Sequence, residues 1–385
     1  MSSPSVRNDI RIVINGRFLT QVTTGVQRYA EETLRALDRL LAEAPAGSER
    51  LRFELAVPDG ARPLALESIA RIHVPGRAGH RWEQLALRRH AGADFLVGFS
   101  YSGPLFKRRQ LVTIHDATVR AVPQAFARRY RWVHNAMVAW LGRSAHSVMT
   151  VSQFSRDELQ LRFGLRRRDI VVGREGGEHA VHAVDDAAVL RKHGLVSGAY
   201  VLGVGSVKPN KNYALLGRAM RLLPGFEWPV AIAGAKDIGI FADASALPDG
   251  FLFLGFVPDD ELSALYRHAA WFVLPSLYEG FGLPAVEAMA HDCPVLAAHA
   301  AAMPEVCANA ALYFDAGDPA SLAQALHAAA RQPHLRTQLA AAGRQRLRLY
   351  NWRANAQILF DHLLHSVVPD AQRSASKAQV APQNG

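Results

Sequence analysis

The chain has 385 residues, 49% hydrophobic and 20% charged, a composition that fits a soluble globular protein too long for one ordinary core and suggests two α/β domains. Its formal net charge of +10 favours anionic partners, whether nucleic acid, acidic lipid or phosphorylated ligands. No apolar core follows the polar stretch Met1–Arg11, no run of about 18 apolar residues occurs, and the two cysteines, Cys293 and Cys307, lack zinc spacing; these features argue against a secretory leader, a membrane span and a zinc module, and point to a reducing compartment.

The first half alternates strand-like and helix-like segments. Strands are expected at Ile10–Asn15, Phe53–Val57, Arg71–Val74, Asp94–Phe99, Leu111–His115 and Ser147–Val151. Helices are expected at Gly25–Leu41, Arg81–Arg89, Pro123–Arg143 and Ser155–Phe163. The first helix carries Val26, Tyr29, Ala30, Leu34, Leu37 and Leu41 at helical spacing. Repeated strand-loop-helix order argues for a parallel sheet covered on both faces.

The pattern loosens over Gly173–Gly198, and the domain junction is placed there. The alternation restarts with strands at Tyr200–Gly205, Pro229–Ala233, Phe251–Leu254, Trp271–Leu274, Pro294–Ala297 and Ala311–Phe314. Helices fall at Asn212–Leu223, Glu261–Ala269, Leu283–Ala290 and Pro319–Ala330, followed by His334–Leu349 and Trp352–Val368. The fold class expected is therefore α/β, with two doubly wound, Rossmann-like domains facing a cleft. Their bounds are 1–183 and 184–350, with a crossover helix at 351–368 and a tail at 369–385 that lacks apolar periodicity and reads as disordered. In open α/β sheets ligands bind at the carboxyl ends of the strands, so residues just after strands carry the functional expectation.

The strongest constellation is Pro275-Ser-Leu-Tyr-Glu279-Gly-Phe-Gly-Leu-Pro-Ala-Val-Glu287. Gly280 and Gly282 let the backbone turn tightly, and Pro284 suits the first turn of a helix. Amides around Gly280, Phe281, Gly282 and Leu283 would then form an anion site suited to a diphosphate. Carboxylates there would accept hydrogen bonds from sugar hydroxyls, and Glu279 and Glu287 would grip the two ends of a nucleotide sugar. This stretch resembles the E-x7-E motif of glycosyltransferase family 4, a retaining group with the GT-B fold, and the likeness runs over nearly the whole chain. It implies that Glu279 contacts the donor sugar and Glu287 the ribose. It also implies C-terminal helices that cross back to the first domain.

After the first strand of the second half, Gly205-Ser206-Val-Lys208-Pro-Asn-Lys211-Asn212 resembles the family's glycine-x-x-x-proline-x-lysine-asparagine loop, which binds the donor diphosphate. Lys211 would neutralise the leaving diphosphate. Many members carry arginine where this chain has Ser206, so one phosphate contact is lost or shifts to Lys208. Gly203-Val-Gly205 lacks the third glycine of a dinucleotide fingerprint, because Lys208 holds that position.

In the first half, Gly25 opens a helix beside the cleft, where the family has a glycine next to the donor. Arg17 and Arg28 read as surface salt bridges or site residues. His115-Asp116 resembles the family's histidine-aspartate pair, with His115 near the donor sugar and Asp116 as its orienter or as an acceptor contact. Ser155 reads as an N-cap with Glu158 completing a capping box, while the resemblance implies that Ser152 reaches the cleft, as the family's corresponding serine does. Gly234 follows a strand, and Val257 lies in a loop that in the family borders the nucleobase through backbone groups. Glu305 reads as structural. Arg174-Glu-Gly-Gly-Glu178-His179 replaces the usual asparagine-glycine turn, leaving His179 a hinge or site candidate without an assigned role.

Basic clusters at Lys107–Arg109, Arg128–Arg131 and Arg166–Arg168, with aromatic residues between them, suggest peripheral contact with an anionic membrane. No recognised nucleic-acid module occurs, so nucleic acid is not an expected partner. Aspartates occur as Asp185-Asp186 and Asp259-Asp260 and not as D-x-D, so no metal is expected.

The expected activity is retaining transfer of a hexose from a nucleotide-diphosphate sugar to a glycan or lipid-diphosphate-linked acceptor. The motifs resemble bacterial mannosyltransferases of surface polysaccharide, which makes GDP-mannose the first candidate donor. The expected location is cytoplasmic, at the inner face of the plasma membrane. The alternatives are an inactive nucleotide-sugar-binding scaffold and a GT-B epimerase.

Overall fold

A computed structural model of the chain describes residues 10–166, 170–206, 208–234 and 251–368. The tail expected to be disordered lies outside the described residues, as do Arg167 and Arg168 of the third basic cluster.

The described strands form two parallel sheets. The first has seven strands in the order β3-β2-β1-β4-β5-β6-β7. They are β1 (Ile10–Asn15), β2 (Leu51–Asp59), β3 (Ala70–Arg77), β4 (Phe95–Gly98), β5 (Gln110–Thr113), β6 (Ser147–Thr150) and β7 (Ile170–Val172). The second has six, in the order β10-β9-β8-β11-β12-β13. They are β8 (Val201–Val204), β9 (Val230–Ala233), β10 (Phe251–Gly255), β11 (Trp271–Leu274), β12 (Val295–Ala298) and β13 (Ala311–Phe314). Central strands such as Phe-Leu-Val-Gly, Trp-Phe-Val-Leu and Val-Leu-Ala-Ala are buried along their whole length, because helices cover both faces of each sheet. Both sheets are doubly wound, as expected.

In each sheet the strand order reverses beside the first strand: β1 pairs with both β2 and β4, and β8 with both β9 and β11. Loops leaving the two strands at such a point turn opposite ways and open a crevice at their carboxyl ends. The loops after β8 and β11 carry Lys211 and Glu279, so the second sheet's crevice holds both.

Several boundaries differ from expectation. The seventh strand, β7, was not anticipated; it is a three-residue edge strand paired only to β6, too short to show periodicity. The helix expected from Pro123 begins at Arg128, because Ala127 is extended and Pro123–Ala125 forms a separate turn. Helix Gln153–Phe163 starts before Ser155. Ser152, extended just past the end of β6, is its cap and accepts the Ser155 amide at 2.9 Å. Of the two C-terminal helices, Pro333–Leu347 stays on the second domain, with Arg344 paired to Asp292 at 2.7 Å. Only Trp352–Val367 crosses back. There Asn355 donates to Thr33 Oγ1 at 2.8 Å and His362 bonds Ser147 at 2.8 Å. Both cysteines are buried and free, and burial pushes each thiol up to about 12.

The first domain encloses a polar cluster. The fully buried Glu83 accepts from Arg17 at 2.9 Å, Asn15 at 2.8 Å and Ser102 at 2.7 Å, and its other oxygen meets His80 at 3.0 Å. Burial pushes its carboxyl up, but the His80 hydrogen bond, the Arg17 charge and the other donors outweigh it, so the pKa falls. Arg17 is thus a structural residue. Its Nη2 also donates to Ser102 at 2.8 Å.

Glu83→Gln leaves the Arg17 guanidinium buried without its counter-ion, and should lower unfolding free energy at pH 7 by about 3–5 kcal/mol in urea titrations. The native carboxyl is more acidic than the unfolded one. Its contribution is therefore present above the usual carboxylate range and lost as pH falls through the lowered native value, so the gap between wild type and variant should narrow in acid.

Candidate active site

The loop after β8 turns through Gly205 and Ser206 into the short turn Pro209–Lys211. The loop after β11 runs from Pro275 to Gly282, which sits at φ 91°, and opens the helix Leu283–Ala290. Across the crevice, Lys211 Nζ donates to Glu279 Oε1 at 2.6 Å, and Ser276 Oγ donates to the same oxygen at 2.6 Å. Lys208 is exposed beside them, and Gly205 and Gly234 press together at the ends of β8 and β9. Phe281 and Leu283 send their side chains into the core, Phe281 edge-on to Tyr350 at 5.4 Å. Only backbone groups of these two residues face the loop's other side. Val257 is likewise buried, beside an exposed Phe256.

Glu287 lies one helical turn further in. His179 Nε2 bonds its Oε1 at 3.0 Å, and the Tyr266 hydroxyl donates to its Oε2 at 2.9 Å. Burial raises the Glu287 pKa, but the His179 hydrogen bond, Tyr266 and the charge of Arg28 pull it below the ordinary value. Glu287 is therefore a carboxylate at neutral pH. Arg28 itself ion-pairs with Asp259 across the cleft.

The first domain meets this loop at Gly280. The hydroxyls of Ser152 and Ser155 both donate to the Gly280 carbonyl, at 2.5 and 2.8 Å. A Cβ at position 280 would lie 2.7 Å from Asp116 Cβ and 3.1 Å from the His115 carbonyl oxygen. Glu305 of the second domain caps the first domain's helix Gln153–Phe163, accepting the Gln153 and Phe154 amides at 2.9 and 2.8 Å. A carboxylate at a helix N-terminus is favoured by the helix dipole. Ser155 thus ties the domains together and is not a cap, and Glu305 is structural as expected.

His115 is buried between Tyr29 at 4.8 Å and Tyr101 at 5.0 Å, and its Nε2 bonds the Phe99 carbonyl at 2.8 Å. A carbonyl only accepts, so Nε2 carries the proton; burial lowers the pKa, so the ring is neutral with Nδ1 unprotonated. The Phe99 carbonyl orients the ring. Asp116 Oδ1 accepts from the Thr118 amide at 2.8 Å, so the ring's direct hydrogen-bond partner is the Phe99 carbonyl and not Asp116. Gly25 is exposed at the first helical position, after the cap Thr24.

Four groups were missed by sequence reading. Ser276 and Tyr266 hold the two glutamates, and Trp352 donates to His179. Glu175 is a buried carboxyl facing the Glu287, Glu279 and Asp116 charges; burial first, then those three, raise its pKa well above the ordinary value. Glu175 follows the unanticipated β7, and recognising that strand would have marked it as a cleft residue. Among the expected basic clusters, Lys107 is buried with its ammonium on the Gly92 carbonyl at 2.9 Å, so it adds nothing to a charged surface.

Residues 189–346 match the family model for glycosyl transferases group 1. The chain is 31% identical over 274 residues to the O-antigen chain mannosyltransferase B of Escherichia coli, across 67% of this chain and 68% of that relative. It is 28% identical over 225 residues to the O-antigen chain mannosyltransferase RfbU of Salmonella typhimurium, across 57% of this chain and 60% of that relative. The solved sucrose-phosphate synthase from Thermosynechococcus elongatus shares the fold. It superposes with a TM-score of 0.71 at 18% identity, covering 93% of this chain and 100% of that one.

Gly280→Ala forces a methyl group against Asp116 and the His115 backbone. Overpacking of this kind costs about 1–3 kcal/mol, and thermal unfolding should shift down accordingly. Protection of the Phe281 and Leu283 amides from hydrogen exchange should fall with it, while amides in β2 and β3 exchange as in the wild type.

Proposed function

The chain belongs to the group 1 glycosyltransferases, and on that premise we propose that it is a retaining mannosyltransferase of the GT-B type. It takes mannose from GDP-mannose and passes it to a glycan or lipid-diphosphate-linked acceptor in surface-polysaccharide synthesis. The observation that carries this reading is the Lys211–Glu279 pair at the strand-order reversal of the second sheet, beside the opening turn of the Leu283–Ala290 helix. The choice of mannose is supported by the two relatives whose names describe O-antigen mannosyltransferases.

In this reading the diphosphate takes the Lys211 ammonium from Glu279 and receives the backbone amides around Gly282. Glu279 then accepts from sugar hydroxyls, Glu287 from the ribose, and the base lies along the backbone near Val257. The bond from sugar C1 to the β-phosphate oxygen breaks as the acceptor oxygen bonds C1 on the same face, and the acceptor's proton passes to the departing phosphate. Negative charge grows on that leaving oxygen, and a fixed cation there lowers the barrier. Lys211 and the amides supply this stabilisation without a metal. Neutral His115 offers Nδ1 as an acceptor near the sugar, and Gly25 borders the same space from the first domain.

A peripheral site at the anionic inner face of the plasma membrane suits a lipid-linked acceptor. Helix Arg128–Ser144 exposes Tyr130, Val133 and Trp132, the last 77% exposed. Phe106 and Trp140 edge an apolar groove of about 760 Å³ whose rim carries Arg108 and Arg143. No helix among the described residues is long and apolar enough to cross a membrane.

Calorimetric titration in chelator with GDP-mannose, UDP-glucose and dTDP-rhamnose tests the reading, with wild type beside Lys211→Ala. GDP-mannose should bind selectively, and the variant should bind it roughly 10- to 150-fold more weakly, the loss expected for one charged hydrogen bond of about 1.5–3 kcal/mol. Selectivity for another donor would replace mannose and keep the site. Absence of binding by folded wild type would favour a scaffold and remove the assigned pocket.

A further inference from the structure

The segment between β7 and the second domain, Arg174–His179, has no role in the reaction above, yet it is held from both sides. A Cβ on Gly177 would lie 3.0 Å from the Val286 side chain and 3.0 Å from its carbonyl oxygen, in the helix that bears Glu287. A Cβ on Gly176 would lie 2.6 Å from the Trp352 nitrogen, in the helix that rests on the first domain. The backbone is thus seated between these two helices with no room for a side chain.

Two side chains of the segment complete the seat. Glu178 Oε1 accepts the Trp352 backbone N–H at 2.6 Å. The Trp352 indole N–H donates to His179 Nδ1 at 3.1 Å, with the two rings edge to face at 5.6 Å. An indole N–H can only donate, so Nδ1 is the acceptor and the ring proton of neutral His179 sits on Nε2. That proton points at Glu287 Oε1, 3.0 Å away. The side chain of His179 is 4% exposed, so water does not compete for either contact.

We infer that His179 is the positioning residue for Glu287, fixing the carboxylate so that it receives two ribose hydroxyls. The inference rests on the ribose role proposed for Glu287. An ionised carboxylate offers about four acceptor sites. His179 takes one on Oε1 and Tyr266 one on Oε2, which leaves one on each oxygen for the two neighbouring hydroxyls of a ribose. A glutamate free to rotate would have to be ordered at each binding event, and that cost would be subtracted from nucleotide affinity. Through Trp352 the same histidine also ties the carboxylate to the helix that crosses to the first domain.

The test compares GDP and UDP with their 2′,3′-dideoxy forms by calorimetry, on wild type, His179→Ala, His179→Gln, Trp352→Phe and Glu287→Gln. Wild type should bind the better nucleotide roughly 10- to 100-fold more tightly than its dideoxy form, the effect of two hydrogen bonds. His179→Ala should lose most of that ratio by weakening the nucleotide and not its dideoxy form. His179→Gln should restore it, because the Gln amide nitrogen reaches the place of imidazole Nε2. In turnover, His179→Ala should raise the donor KM more than it lowers kcat and leave the acceptor KM unchanged. Full wild-type discrimination in His179→Ala, or equal weakening of both forms, would overturn the positioning role while leaving the ribose reading intact. No discrimination in wild type, or full discrimination in Glu287→Gln, would overturn the ribose reading itself. If His179→Ala does not fold, Trp352→Phe decides: it removes only the indole N–H, and discrimination should fall several-fold, whereas an unchanged ratio would count against the role.

Discussion

At Gly280 the backbone of the second domain touches the first domain so closely that no side chain fits between them. The Ser152 and Ser155 hydroxyls share its carbonyl, and Asp116 lies against its α-carbon. Everything else about the cleft follows from that contact. The loop after β11 must emerge from the sheet at the level where β5 and β6 end, so His115 and Asp116 face the same space as Glu279. The Glu305 carboxylate on the helix Gln153–Phe163 reinforces the contact from the other side. A hydroxyl–carbonyl bond is worth about 1 kcal/mol, so this seam can open at modest cost.

The cleft's acids are set to different tasks by their surroundings. Glu287 is ionised because His179 and Tyr266 donate to it. Glu175, buried among the same charges, has its pKa raised well above the ordinary carboxylate value. The same residue type thus meets opposite pressures within one cleft, downward at Glu287 and upward at Glu175. Environments that push like groups apart are the usual mark of a working site. Lys211 supplies a positive charge in the second sheet's crevice, held in place by Glu279.

Much of this was legible in the sequence because central parallel strands are continuous apolar runs, and twelve of the strand positions could be read from them. The glycines and Pro284 after Leu274 marked a tight turn into a helix, which is where Gly282 and the helix Leu283–Ala290 lie. What escaped notice depends on contacts distant in the chain. Strand β7 is three residues at a sheet edge, stabilised by pairing with β6 and invisible as a pattern. Ser155 fits the rule for a cap, but Ser152, just past the end of β6, holds the extended conformation that a cap requires, and the rule cannot see where a strand ends. Lys107 reads as one of three surface cations, yet the fold closes over it and supplies the Gly92 carbonyl. The partners of His179, Glu287 and Trp352, lie 108 and 173 residues further along the chain, so the segment stands out in the sequence as unusual but without a role.

The central claim is that Lys211 leaves Glu279 for the donor diphosphate, freeing that carboxylate for the sugar. A crystal structure of the chain with an intact nucleotide-diphosphate sugar tests it most directly. The account predicts Lys211 Nζ within hydrogen-bond distance of a phosphate oxygen and Glu279 turned onto sugar hydroxyls, with the ribose on Glu287. A donor bound with the Lys211–Glu279 pair unbroken and the diphosphate held by other residues would contradict it.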